Sequence, residues 1–346
     1  MAGQRNAYLD FAKGTAIVMV VLGHAIQYGN GASYLASEQH YDNPLFRFVY
    51  SFHMPLFMLI SGYLLAFSLE RRSSRQVFTS RLRRLGVPIL TFALLIKGAS
   101  VAAVAKGDTT FLQWAEGFLS FSVMNYHLWF LWSVLFNTFF VVVIRRLGDS
   151  PALYLLAWAG LLLMPEGTLH GVYSFMFPCF AAGYLAGKHR FAEQKRPEGR
   201  WLFALSLVLF AVGLSLYGKE TYVYVSGQCV LRSEGARYFW LDMLRLVTGM
   251  AGSLCVLTAL KWLYSRSKEN PVTRSIIALG RDSMGIYLFQ TLFFFLSGRL
   301  SLMPFTGHHA ADVTLTFALC LAFSFACTRL ARLNRLSNFF FLGGSK

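Results

Sequence analysis

Ten apolar runs, separated by loops in which basic charge is alternately rich and poor, constrain this 346-residue chain more than any other feature. The runs lie at about 9–28, 45–68, 86–105, 126–144, 151–165, 171–187, 201–217, 239–260, 283–303 and 310–330. A helix needs about 20 apolar residues to cross the hydrocarbon core of a bilayer, and the fifth run is short for that. With 55% of its residues hydrophobic, the chain is too apolar for an ordinary soluble domain. The basic residues test the list independently. Six lie between Arg71 and Arg84, two at Arg145 and Arg146, five from Lys188 to Arg200, five from Lys261 to Arg281 and four from Arg329 to Lys346. With Arg5 these loops hold 23 of the 32 Lys and Arg, while the intervening loops hold five: Lys106, Lys219, Arg232, Arg237 and Arg299. Lys and Arg concentrate in cytoplasmic loops. The alternation therefore predicts an all-α, polytopic membrane protein: one integral-membrane domain over residues 1–346, about ten transmembrane helices, both termini cytoplasmic and membrane lipid as its solvent. The same scatter excludes nucleic acid as the reason for the net charge of +16, because no single basic patch forms. Five scattered Cys without a CxxC or Cys/His cluster predict neither a disulfide framework nor a metal site. The first run looks like a signal peptide, but its polar residues and the spans behind it predict a retained helix.

That first run, YLDFAKGTAIVMVVLGHAIQY, carries Asp10, Lys13 and His24. At 100° per residue, Lys13 and His24 lie about 20° apart around a helix, with Asp10 about 40° to the other side of His24 and Gln27 one turn further on. One polar stripe thus runs down an apolar helix. Ionisable groups at membrane depth are expensive and mark function by default. Near a helix end, Asp10 and Lys13 are equally explained by snorkelling or an i, i+3 pair. His24 has no such escape, since it lies roughly 16 Å beyond Lys13 along the axis.

The second run, FRFVYSFHMPLFMLISGYLL, adds Arg47 and His53. A lone His on an apolar face is usually a hydrogen-bonded core residue. Two on consecutive helices weaken that reading, because consecutive elements are usually adjacent. In SRLRRLGVP, Arg81 and Arg84 are one turn apart. They read either as topological anchors or as a phosphate clamp. Trp129 and Trp132 fit an aromatic belt, and His127 beside them is a candidate for the outer cavity. The loop from Gly218 to Tyr238 contains a strand-like TYVYVS, readable as part of an acceptor site or as a passive lid. In GRDSMGIYLFQ, Asp282 or Ser283 is expected to cap the ninth helix.

Taken together, YLDFAKG with His24 behind it, SFHMPLFMLISGYL, SRLRRLGVP, HLWFLW and LGRDSMGIYL resemble the membrane-bound acyltransferase family three in order and over nearly the whole chain. The first motif looks most like the fucose 4-O-acetylase-like branch. The family O-acetylates bacterial surface sugars. The resemblance implies an O-acetyltransferase of the bacterial cytoplasmic (inner) membrane, with acetyl-CoA as donor substrate, a surface or lipid-linked sugar as acceptor, and no metal. It places the family's basic residue and His on Lys13 and His24, with Lys where many relatives have Arg, and its Arg-x-x-Arg on Arg81 and Arg84. Many relatives end the ninth-span motif in His; Gln290 stands here, so an acid/base role at that position is not carried over.

On this basis Lys13, Arg81 and Arg84 are expected to bind acyl-CoA, and His24, His53 and Asp10 form the catalytic set. Asp10 is too far along the helix to touch His24 and could instead orient Lys13. Arg47 and His127 are candidates on the acceptor side. His24 would act as general base or carry the acetyl group covalently. The reading from another class is a transporter or flippase for a lipid-linked sugar or small solute, with the histidines as a proton relay; such folds often carry internal repeats, and the halves here show none.

Overall fold

The computed structural model of the chain describes residues 6–28, 38–98, 107, 110–124, 128–164, 170–190, 199–227, 235–268, 270–300, 306 and 308–344. Among them all regular structure is helical. In chain order the helices are α1 (Ala7–Tyr28), α2 (Pro44–Arg71), α3 (Ser74–Arg81), α4 (Val87–Lys97), α5 (Phe111–Met124), α6 (Trp129–Arg146) and α7 (Pro151–Leu162). There follow α8 (His170–Lys188), α9 (Gly199–Ser215), α10 (Val223–Ser226), α11 (Gly235–Ser267), α12 (Pro271–Leu300), α13 (His309–Ala331) and α14 (Arg335–Leu342). A helix coincides with each apolar run, and α3, α5, α10 and α14 are additional. By length and composition α1, α2, α6, α11 and α13 can cross a membrane, while α7 and α9 are shorter apolar helices.

Local chemistry sets several ends. The Asn43 side chain accepts from the backbone N–H of Leu45 and Phe46, with Pro44 in the first turn of α2, which satisfies amides the helix leaves unpaired. Ser73 and Gln76 form a reciprocal capping box at α3. Pro55 interrupts α2 from within. A proline removes a backbone donor, and one turn before it Ser253 of α11 donates its hydroxyl to the Phe52 carbonyl at 3.3 Å.

The polarity is inverted relative to a water-soluble protein. Helix α9 exposes Trp201, Leu202, Leu205, Val208 and Val212, whereas α13 buries Asp312, Thr316, Cys320, Ser324 and Thr328, one residue per turn. In water so much exposed apolar surface would be a liability. Against lipid tails it faces a like solvent, and small polar residues pack between helices.

Helix α1 is central, packed on α2, α11, α12 and α13. Its tightest approach is to α12, at Gly14 and Gly280: a Cβ on Gly14 would overlap the Ile276 carbonyl, and one on Gly280 the Asp10 carbonyl. Two bare Cα atoms thus let the ninth-span motif reach the base of the first helix.

The structure corrects three local expectations. Helix α12 begins at Pro271, so Asp282 and Ser283 are not caps. Asp282 is buried mid-helix and pairs with Arg329 at 2.9 Å and with Arg332. The TYVYVS stretch forms a 3₁₀ turn (Lys219–Thr221) and α10 rather than a strand. Its consecutive Thr221, Tyr222 and Val223 are all buried, which a two-faced strand would not do; among the described residues no strand offers a ladder, so the peptide groups turn locally. Arg245 of α11 holds the end of α10, donating to the Ser226 hydroxyl at 2.6 Å and the Gly227 carbonyl at 2.8 Å. Trp129 is not a belt residue: it is buried, with its ring 6.0 Å from Tyr224 of α10.

Candidate active site

Lys13, Ile17 and Val20 succeed one another at i, i+4 and i+7, one face of α1. All three line a cavity of about 150 Å³. His24 is next on that face, one turn beyond Val20, about 6 Å along the axis. Facing walls come from Met54, Phe57 and Ser61 of α2, Phe130 and Val134 of α6, and Ser283, Met284 and Tyr287 of α12. Its almost wholly apolar lining suits a slender, largely apolar chain.

At the Lys13 end the contacts are ionic. Lys13 meets Asp10 at 2.8 Å, and Arg281, delivered by the close approach of α12, lies 3.6 Å from the other Asp10 oxygen. Asp10 is thus the buried anion between two cations. It lies 14 residues from His24, about 21 Å along an ideal helix, and the ion pair with Lys13 is the contact that the orienting role needs. Arg81 and Arg84 do not act from one face. A π turn spans Leu82–Gly86 and breaks the simple one-turn register between them. Arg81 turns inward and donates to the Thr138 hydroxyl at 2.8 Å and, at 3.4 Å, to the carbonyl of Ser61, a residue of the cavity wall. Arg84 is exposed, and its backbone packs against Gly343, just beyond α14.

At the His24 end the contacts are neutral. His24 Nδ1 lies 2.9 Å from the Gln27 amide oxygen, and the Tyr50 hydroxyl donates to the same oxygen at 2.9 Å. The His24 ring stands 5.9 Å from Phe294 of α12. His53 is buried, and its Nδ1 lies 2.8 Å from the Val49 carbonyl. A carbonyl only accepts, so Nδ1–H donates and the lone pair sits on Nε2. The Tyr50 ring lies 4.6 Å from that of His53. His24 and His53 are therefore brought to one place, with Tyr50 between them. Arg47 shares α2, and its buried Nε has no hydrogen-bond partner among the described residues. His127 lies outside the described residues. Gln290 is 2% exposed, and its amide oxygen has no hydrogen-bond partner among the described residues; on α12 it falls between Tyr287 of the cavity and Phe294 beside His24.

Sequence reasoning missed several partners. Gln27 lay on the stripe but drew no role, and Tyr50 had no signal beyond standing three residues before His53. Asp242 and Arg245, fully buried and 3.5 Å apart on α11, did have one: an ionisable pair inside the eighth apolar run.

A family model described as an acyltransferase domain matches residues 6–330. Similar proteins include the nodulation protein NolL of Sinorhizobium fredii, 30% identical over 301 residues that make up 84% of this chain and 78% of the relative. The nodulation protein NolL of Mesorhizobium japonicum is 27% identical over 345 residues, 94% of this chain and 86% of the relative. No solved structure matches the chain.

Proposed function

The chain belongs to the acyltransferase family whose domain model spans residues 6–330, and on that premise we propose that it carries an acetyl group from cytoplasmic acetyl-CoA through the bacterial inner membrane to a hydroxyl of a surface or lipid-linked sugar. The observation that carries this reading is the single face of α1 on which Lys13, Ile17 and Val20 line the cavity and His24 follows. In this reading ten helices cross the bilayer with both termini inside, supported by the 23-to-5 bias of basic residues. The donor's phosphates stay at the Lys13 end, served by Lys13, Arg81 and exposed Arg84. The thioester end enters the cavity, and the sugar arrives beyond His24, where Arg47 and His127 are acceptor-side candidates.

His24 Nε2 takes the proton of the sugar hydroxyl, a poor nucleophile until it is deprotonated. The oxygen attacks the thioester carbon, the carbon–sulfur bond breaks, and the departing thiolate takes the proton back from the imidazolium. His53 supports the acceptor or a second proton position. The direct test is thiol release and label transfer from radioactive acetyl-CoA by purified protein in vesicles. Absence of both defeats the reading. Reporter fusions test the direction: sites after Arg84, Arg196 and Lys268 should read cytoplasmic, and sites near Glu38 and Glu234 external. One firm reversal defeats the topology.

A further inference from the structure

A neutral imidazole has two tautomers, and a histidine that must take a proton at Nε2 is competent in only one of them. His24 Nδ1 sits 2.9 Å from the Gln27 amide oxygen. That oxygen only accepts, so Nδ1 carries the hydrogen and Nε2 the lone pair. The Tyr50 hydroxyl donates to the same oxygen at 2.9 Å and lies 3.3 Å from Nδ1. Two donors fill both lone pairs of the amide oxygen, so Gln27 cannot turn away without losing both bonds. Gln27 is 2% exposed, where lost hydrogen bonds go uncompensated by water. Tyr50 is itself fixed: Phe46 stacks on it at 3.9 Å between ring centres, and the His53 ring bounds another side at 4.6 Å. The His24 ring is bounded by Phe294, which stacks on Tyr28 at 4.4 Å.

We propose that Gln27 and Tyr50 are positioning residues that lock His24 into the tautomer with its lone pair on Nε2, an uncharged counterpart of the carboxylate that usually orients a catalytic histidine. This rests on the reading of His24 as the base. The placement on the helices explains the choice of residues. Gln27 is three residues after His24, the same-face neighbour on α1, and Tyr50 comes across from α2. An amide orients the ring without adding a charge to an apolar bundle, where a carboxylate would need a partner. Titratable and charged groups on the elements around His24 include Asp10, Lys13 and Tyr28 on α1, Arg47, Tyr50 and His53 on α2, Asp242 and Arg245 on α11, Arg281, Asp282 and Tyr287 on α12, and His309 and Asp312 on α13; beside the His24 ring itself α12 presents Phe294.

The test measures thiol release from acetyl-CoA by the full-length protein in vesicles, with methyl fucoside supplied and either the sugar or water accepting the acetyl group. Gln27→Ala should lower kcat about 10- to 100-fold, the scale seen when the partner orienting a functional imidazole is removed, and leave the KM for acetyl-CoA in place. Tyr50→Phe keeps the ring packing and should give a smaller drop in kcat alone. Gln27→Glu keeps the shape and adds a negative charge beside Nδ1–H. It should retain more activity than Gln27→Ala and move the acid limb of the kcat profile to higher pH by about one unit, the scale of a neighbouring opposite charge. If Gln27→Ala fails to fold, Gln27→Glu and Tyr50→Phe still decide. Wild-type kcat and an unmoved pH profile in these variants, with transfer abolished in His24→Gln, overturn the positioning role and leave the base assignment standing. Transfer retained in His24→Gln, or no thiol release by the unmodified protein, overturns both.

Discussion

The two ends of the cavity are built from opposite materials. At the Lys13 end, Asp10 sits between Lys13 and Arg281, and nearby Asp282 pairs with Arg329 and Arg332. At the His24 end, 11 residues along the same helix face, an imidazole, an amide and a phenol share hydrogen bonds inside a cage of aromatic rings. An ionic shell suits the holding of an anion. A neutral shell suits a base that must begin and end each cycle uncharged. Both lie on one strip of α1, so in the proposed function a single helix would carry the division of labour.

The largest expected effect comes from removing the base. His24→Gln keeps hydrogen bonding but cannot shuttle a proton at neutral pH. It should leave a folded, inserted protein that binds acetyl-CoA and transfers about 10²- to 10⁴-fold more slowly. His53→Gln should impair transfer less, because the His53 ring bonds to its own helix at Val49. Near wild-type turnover in His24→Gln would erase the difference between the two ends and remove His24 from the chemistry.

At the other end, Arg81→Ala and Arg84→Ala should part company. Losing a charged hydrogen bond to the donor weakens acetyl-CoA binding by about 1–3 kcal/mol, or about 5- to 150-fold. Exposed Arg84 should show that loss in affinity alone. Arg81 also holds Thr138 and the Ser61 carbonyl, so its removal should lower the melting temperature as well. Unchanged affinity with falling expression in both variants would make them topological anchors and leave Lys13 as the donor-side cation.

How far the sequence foretold this differs between the two ends. The stripe of Lys13 and His24 was legible because helical geometry alone aligns residues 11 apart, and the ten apolar runs were legible because lipid demands length and apolarity together. Partners across helices were not. Arg281 reaches Asp10 only because Gly14 and Gly280 let two backbones touch, and nothing in a single sequence says which glycines face each other. The Arg-x-x-Arg spacing did not reveal how differently its two members are placed: a π turn at Leu82–Gly86 replaces the regular turn, with Arg81 turned inward and Arg84 exposed. TYVYVS misled because β-branched and aromatic residues record a preference for packing, and packing is satisfied by a turn pinned under Arg245 as well as by a strand.

The smallest effect isolates charge that lies away from the cavity. Asp149, between α6 and α7, has a left-handed backbone at φ 55°. It accepts from the Tyr154 hydroxyl at 2.7 Å and the Tyr184 hydroxyl at 3.0 Å, and Lys188 stands 2.9 Å away. Burial pushes its carboxyl up, but hydrogen bonds from Lys188, Tyr154 and Tyr184 and the Lys188 charge outweigh that and hold it below the usual carboxylate range. A depressed folded value means the stabilisation is fully present above the unfolded value of about 3.9 and is lost as pH falls through the folded one. Lys188 is 37% exposed, so solvent screening limits the contribution to about 1 kcal/mol or less. Asp149→Asn should therefore melt slightly lower than the unmodified protein at pH 7, with the gap closing toward pH 3, while acetyl transfer at neutral pH is unchanged. A gap of equal size at both pH values would mean that shape, not charge, ties α6 and α7 to α8. A loss of transfer without a loss of stability would extend the ionic end of the cavity to a cluster that shares none of its lining residues.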